Sequence, residues 1–367
     1  MTERILHIIP SLDRAGAEKQ LVLLVTGLPR TEFEAHVCAL TRGGPRQAEL
    51  EAAGIPVTVI GKRFQADPLA AWRLTRHVAH LRPALVHTWL FAGNSYGGAA
   101  ARAAGVRYLV ISQRCVDPWK SRYQLAIDRV LARHAQRIVV NSAGVRDFYV
   151  QHGLPVNRVT VIPGGVAPAA PSSLTRGELL ARLALPPSAR LIGAVGRLWP
   201  QKRVKDLIWA ADLAHLVRHS VHLLVIGDGP QRRNLERFVR LLRAAQHVRL
   251  LGERADVANI LPHLDVCWLG SAYEGLPNSI MEAMAAGVPV VASDIPGCRE
   301  LVVPGQTGFL VPVGGRAQRV RVTEKILQDP QLARRLGTAA RQRVVEHFRV
   351  APMVQQHVMM YRELLSG

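Results

Sequence analysis

The chain has 367 residues, 49% of them hydrophobic, which suits two ordinary globular domains and excludes a disordered chain. Its 47 Lys and Arg against 27 Asp and Glu leave a net charge of +20, pointing to an anionic partner or to an Arg-rich proteome. The cations are spread along the chain without interleaved aromatics, which disfavours nucleic acid. The 4 cysteines form no CxxC pair, which argues against a disulfide framework or a zinc site, and no apolar stretch is long enough to span a bilayer.

The first residues, with Glu3 and Arg4 beside a short apolar run, read as a strand rather than a signal peptide, so a cytoplasmic protein is expected. In chain order, the pattern predicts a strand at 5–10, a Gly-containing turn at 14–17 and a helix at 18–28. Strands follow at 36–40 and 57–60, then a helix at 69–81 ended by Pro83. A strand at 85–88 leads into a small-residue helix at 93–104, and strands at 106–112, 137–141 and 159–163 complete the half. A Pro-rich stretch between Gly164 and Arg190 reads as a linker with an entry helix. The second half alternates again. Strands are predicted at 191–196, 221–227, 248–252, 266–269, 289–293 and 308–311, and helices at 204–218, 231–244 and 278–286. The fold class is therefore α/β, with two Rossmann-like, doubly wound parallel sheets. Ligand loops are expected at the carboxyl ends of their strands, in a cleft between the halves. The expected domains are 1–168, 169–346 and a helix at 347–367 that returns to the first domain.

The strongest local signal is the run from Tyr273 to Ala292, YEGLPNSIMEAMAAGVPVVA, a loop–helix–strand unit. Pro277 lies near the first helical turn and Gly287 ends the helix. The first-turn amides, around Leu276 to Ile280, form an anion site strengthened by the helix dipole. Glu282 sits among Ile280, Met281, Ala283 and Met284. A carboxylate there is either an acceptor for sugar hydroxyls or a helix side chain pointing to water. Glu274 before the helix can simply offset the dipole.

Two glutamates separated by seven residues within EGLPNSIMEAMAAGVPVVASD closely resemble the signature of retaining glycosyltransferases of family four, the group 1 glycosyl transferases. The resemblance implies a GT-B fold and a nucleotide-diphosphate sugar as donor. It also implies Glu274 beside the donor sugar, Glu282 on the ribose hydroxyls, and Gly275, Leu276, Asn278 and Ser279 around the diphosphate. Gly196-Arg197-Leu198 with Lys202 is similar to the family segment whose Arg and Lys grip the diphosphate. That suits the chemistry, because the leaving group's developing charge must be neutralised. No Asp-x-Asp is present, so no metal or other cofactor is expected. The turn at 227–230, GDGP, reads as structural, and Glu253 lies in the segment matching the base-contacting loop. Arg14-Ala15-Gly16-Ala17-Glu18 resembles the family's GGAE loop with Ala15 in place of a glycine; Gly16 would let the backbone approach the donor phosphate. Gly164 and Ala167 replace polar residues usual in the family's hinge.

On the acceptor side, His87 and Arg114 are candidates for the reacting centre, Arg114 standing where many family members carry a His. For His87, a structural role at the strand is an equal reading. The expected activity is retaining transfer by a front-face mechanism to a glycan or lipid-linked acceptor, of the kind used in envelope polysaccharide synthesis. A nucleotide-sugar epimerase and a non-catalytic basic module binding membrane or nucleic acid are the alternatives. The charge motivates peripheral contact with an anionic membrane through Arg63, Arg73, Arg76, Arg102, Arg107, Lys120, Arg122, Arg129 and Arg133.

Overall fold

The computed structural model describes residues 2–367. The chain divides into two compact units, Met1–Gly165 with Val350–Gly367, and Val166–Arg349.

The first unit contains β1 (Glu3–Ser11), α1 (Gly16–Gly27), β2 (Phe33–Arg42), α2 (Pro45–Ala52), β3 (Val57–Val59), α3 (Pro68–Leu81), β4 (Leu85–Trp89), α4 (Leu90–Ala103), β5 (Tyr108–Gln113), α5 (Arg122–His134), β6 (Arg137–Val140), α6 (Ala143–Gln151) and β7 (Val159–Val161). Its seven strands are parallel, in the order β3-β2-β1-β4-β5-β6-β7. Runs such as Ile5–Ile9 and Val86–Trp89 are buried on both faces, as a parallel sheet between helix layers requires. The small residues of α4 let it lie on the sheet: a Cβ at Gly93 would stand 2.9 Å from the Ile8 carbonyl oxygen. The order reverses between β1 and β4, so the loops that follow these two strands diverge there.

The second unit contains α7 (Arg176–Arg182), β8 (Arg190–Val195), α8 (Val204–Val217), β9 (Val221–Ile226), α9 (Arg232–Leu241), β10 (Val248–Gly252), α10 (Val257–Ile260), β11 (Val266–Leu269), α11 (Asn278–Ala285), β12 (Val290–Ser293), α12 (Pro296–Leu301), β13 (Gly308–Val311), α13 (Arg316–Gln328) and α14 (Pro330–His347). The six strands run parallel in the order β10-β9-β8-β11-β12-β13, with the reversal between β8 and β11. The chain then enters α15 (Val350–Ser366), which belongs to the first unit and packs against α1.

The helix expected at 347–367 is α15, Val350–Ser366, and α14, Pro330–His347, precedes it as a separate helix. Helix α5 has no counterpart in the sequence reading. Its buried positions are Asp128 and Ala132, so no apolar stripe advertises it. A capping box formed by Ser121 and Gln124 starts it instead.

Candidate active site

In the second unit the reversal of strand order sets the loop after β8 beside the loop after β11, where an open parallel sheet receives its ligand. The first loop holds Gly196, Arg197 and a single 3-10 turn, Pro200–Lys202; the second holds residues 270–277. The two are tied together. Ala272 N donates to the Gln201 carbonyl at 2.9 Å, and the Gln201 amide donates to the Tyr273 carbonyl at 2.7 Å. Lys202 Nζ reaches Glu274 Oε1 at 2.5 Å, with both side chains mostly enclosed. An ammonium has three donors, so one bond to Glu274 fixes its position and leaves others for a ligand. Arg197 is exposed, its guanidinium 5.6 Å from the Trp199 ring centroid.

Gly275 and Leu276 are buried, and Asn278 and Ser279 half-buried, on the approach to α11 and its first turn. No side chain caps that helix, and Pro277 stands at its N-cap with no N–H to spend. Glu282 is half-buried one turn further on, between the fully buried Met281 and Ala283, so it is not a fully solvated side chain. Glu253 is exposed after β10, at the far end of the strand order from β12. The 227–230 turn packs against the loop after β8. Leu198 N donates to the Asp228 carbonyl at 2.8 Å, and a Cβ on Gly227, at φ +140°, would meet the Gly196 oxygen at 2.1 Å. Two supports carry no sequence signal of their own. One is Gln201, described above. The other is Gly297 of α12, whose missing side chain makes room for the Gly275 carbonyl: a Cβ there would lie 1.6 Å from that oxygen. Among the described residues, no group of three or more His, Cys, Asp or Glu side chains is placed to hold a metal ion.

In the first unit, Gly16 opens α1 and is exposed. Gln20, one turn later, holds the backbone of Gly165 from both sides, donating to its carbonyl at 2.7 Å and accepting from its N–H at 2.8 Å. A side-chain amide thus secures the segment where the sequence lacks the usual polar residues. His87 requires a correction. It is fully buried in mid-sheet, not at a ligand-facing strand end, and both ring nitrogens are occupied, Nδ1 with the Tyr361 hydroxyl at 2.6 Å and Nε2 with Ser112 Oγ at 2.7 Å. Burial, then the neighbouring His7, His357 and Arg114, hold its pKa well below the usual range. Its ring is held on both sides by core partners, and the lowered pKa favours the neutral form, the structural role that the strand position also allowed. Arg114 does reach the end of β5, and burial lowers its guanidinium to about 10. Lys120 is also corrected. Its ammonium is fully enclosed, 2.8 Å from Asp128 and 2.7 Å from the Tyr149 hydroxyl, and so faces no membrane.

The model of the glycosyl transferases group 1 matches residues 176–343, and that of glycosyltransferase family 4 matches residues 14–170. The chain belongs to the group 1 glycosyltransferases. Over 96% of its length this glycosyltransferase is 29% identical to a GDP-mannose-dependent alpha-mannosyltransferase of Mycobacterium tuberculosis, covering 93% of that relative. It is 29% identical to an alpha-maltose-1-phosphate synthase of Mycolicibacterium smegmatis, covering 76% of this chain and 78% of the relative. Anabaena HepE, solved in complex with UDP-glucose, superposes with a TM-score of 0.89 at 25% identity, over 98% of this chain and 99% of that one. The fold of this glycosyltransferase is GT-B. No helix among its described residues is long and apolar enough to cross a membrane.

Proposed function

We propose that this glycosyltransferase transfers a sugar, with retained anomeric configuration and without a metal ion, from a nucleoside-diphosphate donor to a glycan or lipid-linked acceptor. The observation that carries the reading is the Lys202–Glu274 contact at the strand-order reversal, beside the uncapped start of α11. Lys202, Arg197 and the α11 amides bring positive charge to where a diphosphate leaves, the role a metal would otherwise fill. Glu282 takes the ribose hydroxyls, and Glu253 lies near the base. The GDP-mannose-dependent relative and the UDP-glucose complex of HepE support a nucleotide-sugar donor.

In the step itself the bond from the anomeric carbon to the β-phosphate oxygen breaks. The acceptor oxygen bonds to that carbon from the same face, and its proton passes to the departing phosphate oxygen. Cations fixed in place stabilise the charge that develops there. The acceptor binds the first unit. Contact with an anionic membrane is proposed through the exposed Phe64, Leu69 and Trp72 beside exposed Arg63 and Arg76.

The test is a panel of UDP-, GDP- and ADP-sugars in chelating buffer, with the product's anomeric configuration read by NMR. A product of unchanged configuration, formed without metal, is expected. An inverted product, or transfer abolished by the chelator and restored by a divalent ion, would overturn the mechanism. Failure of the protein to sediment with anionic vesicles at low salt removes the membrane contact.

A further inference from the structure

Arg114 differs from the other enclosed arginines of this chain. Arg158 donates to the carbonyls of Ala132, Arg133 and Ala135 that close α5, and Arg319 donates to the Val291 carbonyl at 2.7 Å. Those guanidiniums are spent on backbone oxygens and hold structure together. Arg114 is only 9% exposed, yet its Nε has no hydrogen-bond partner, and among the described residues no carboxylate pairs with it. Its guanidinium carbon lies 5.4 Å from the centroid of the Trp89 ring. The nearby histidines are neutral and offer no counter-charge. A buried cation without a partner is costly, and an anionic ligand would recover that cost.

The two carboxylates of the same stretch are committed elsewhere. Asp128 accepts from Lys120 at 2.8 Å and from the Gln113 amide at 3.0 Å, while Asp117 accepts from the Tyr149 hydroxyl at 2.7 Å. This enclosed network fastens the segment after β5, so Arg114 is presented rigidly and is not competing for either acid. At the end of the next strand, Asn141 donates to the Arg114 carbonyl at 3.0 Å and keeps its own Oδ1 buried without a partner. Arg114 and Asn141 are joined through the Arg114 carbonyl, and an unpaired guanidinium and an unpaired amide oxygen on two such linked residues match a ligand with both an oxyanion and a hydroxyl donor.

We propose that Arg114 and Asn141 form an anion subsite on the first unit, which takes a carboxylate or phosphate carried by a sugar of the acceptor. This rests on the reading of the first unit as the acceptor-binding one. The test is calorimetric titration of the full chain with methyl glucuronide, glucose 6-phosphate and methyl glucoside. Each is run against the native protein, Arg114→Met and Arg114→Lys. At least one acid is expected to bind tenfold or more tighter than the neutral glucoside. Methionine should abolish that preference and lysine should keep part of it. Whichever acid binds tighter identifies the group as carboxylate or phosphate.

Equal binding of all three sugars to the native protein would overturn the subsite, as would a preference that survives Arg114→Met. If the methionine variant does not fold, the native comparison and the lysine variant still decide. Affinity for the tightest of UDP, GDP and ADP serves as the control. Its absence in native protein would sink the proposed donor chemistry and leave the charge comparison standing.

Discussion

Lys202 gains its use from Glu274. A lysine ammonium on a four-carbon stem has many rotamers, and a ligand that must order it loses affinity. The 2.5 Å contact removes that freedom in advance. Replacing Lys202 with alanine is expected to slow transfer by about 10²–10³, the usual effect of losing one fixed donor to a developing oxyanion. Near-normal turnover in that variant would mean the diphosphate is held elsewhere. The two partners were legible before folding was considered, because each lies in a distinctive short motif. His87 was not legible in the same way. A histidine at a strand reads alike whether it faces ligand or core, and what decides it is Tyr361 and Ser112, 274 and 25 residues away. Gln201 escaped notice because a lone glutamine after Pro200 carries no pattern.

At the level of elements, the loop before α11 depends on α12. Gly297 begins the contact, and nothing larger fits over the Gly275 carbonyl. Gly297→Ala is expected to shift residues 274–276 and weaken nucleoside-diphosphate binding by roughly tenfold or more, since close-packed backbone has little room to relax. Unchanged affinity would show that the loop does not set the site. The strands and long apolar helices were readable from period and length, since both faces of each parallel sheet are covered. Helix α5 was not, because its inward residue is Asp128, whose cost is met by Lys120. A buried ion pair erases the hydrophobic period that a sequence reading relies on.

For the molecule as a whole, the enclosed histidines of the first unit tie its stability to pH. Burial, with His357 adding, lowers His7 to about 3, and burial, with Arg114 adding, lowers His357 to about 4; His87 lies well below its usual value. Folded values below unfolded ones mean that stability is complete above about pH 6.5 and is lost as pH falls toward the folded values. Near pH 5 His7 and His357 each cost about 2 kcal/mol, from 1.36 kcal/mol per pKa unit, and His87 adds to the loss in the same direction. The melting temperature should therefore drop between pH 7 and 5, and a flat profile would show that these histidines titrate normally. The paired Rossmann-like architecture was legible in the alternation of strands and helices, and the family in one run of some twenty residues, whereas the acceptor's chemistry left no such pattern. The account rests on a nucleoside diphosphate bound by residues of the second unit with no metal. Its most direct test is calorimetric titration with UDP, GDP and ADP in chelating buffer. It predicts that at least one binds the native chain and binds Lys202→Ala at least tenfold more weakly. Binding of none, or binding that appears only when a divalent ion is added, would contradict it.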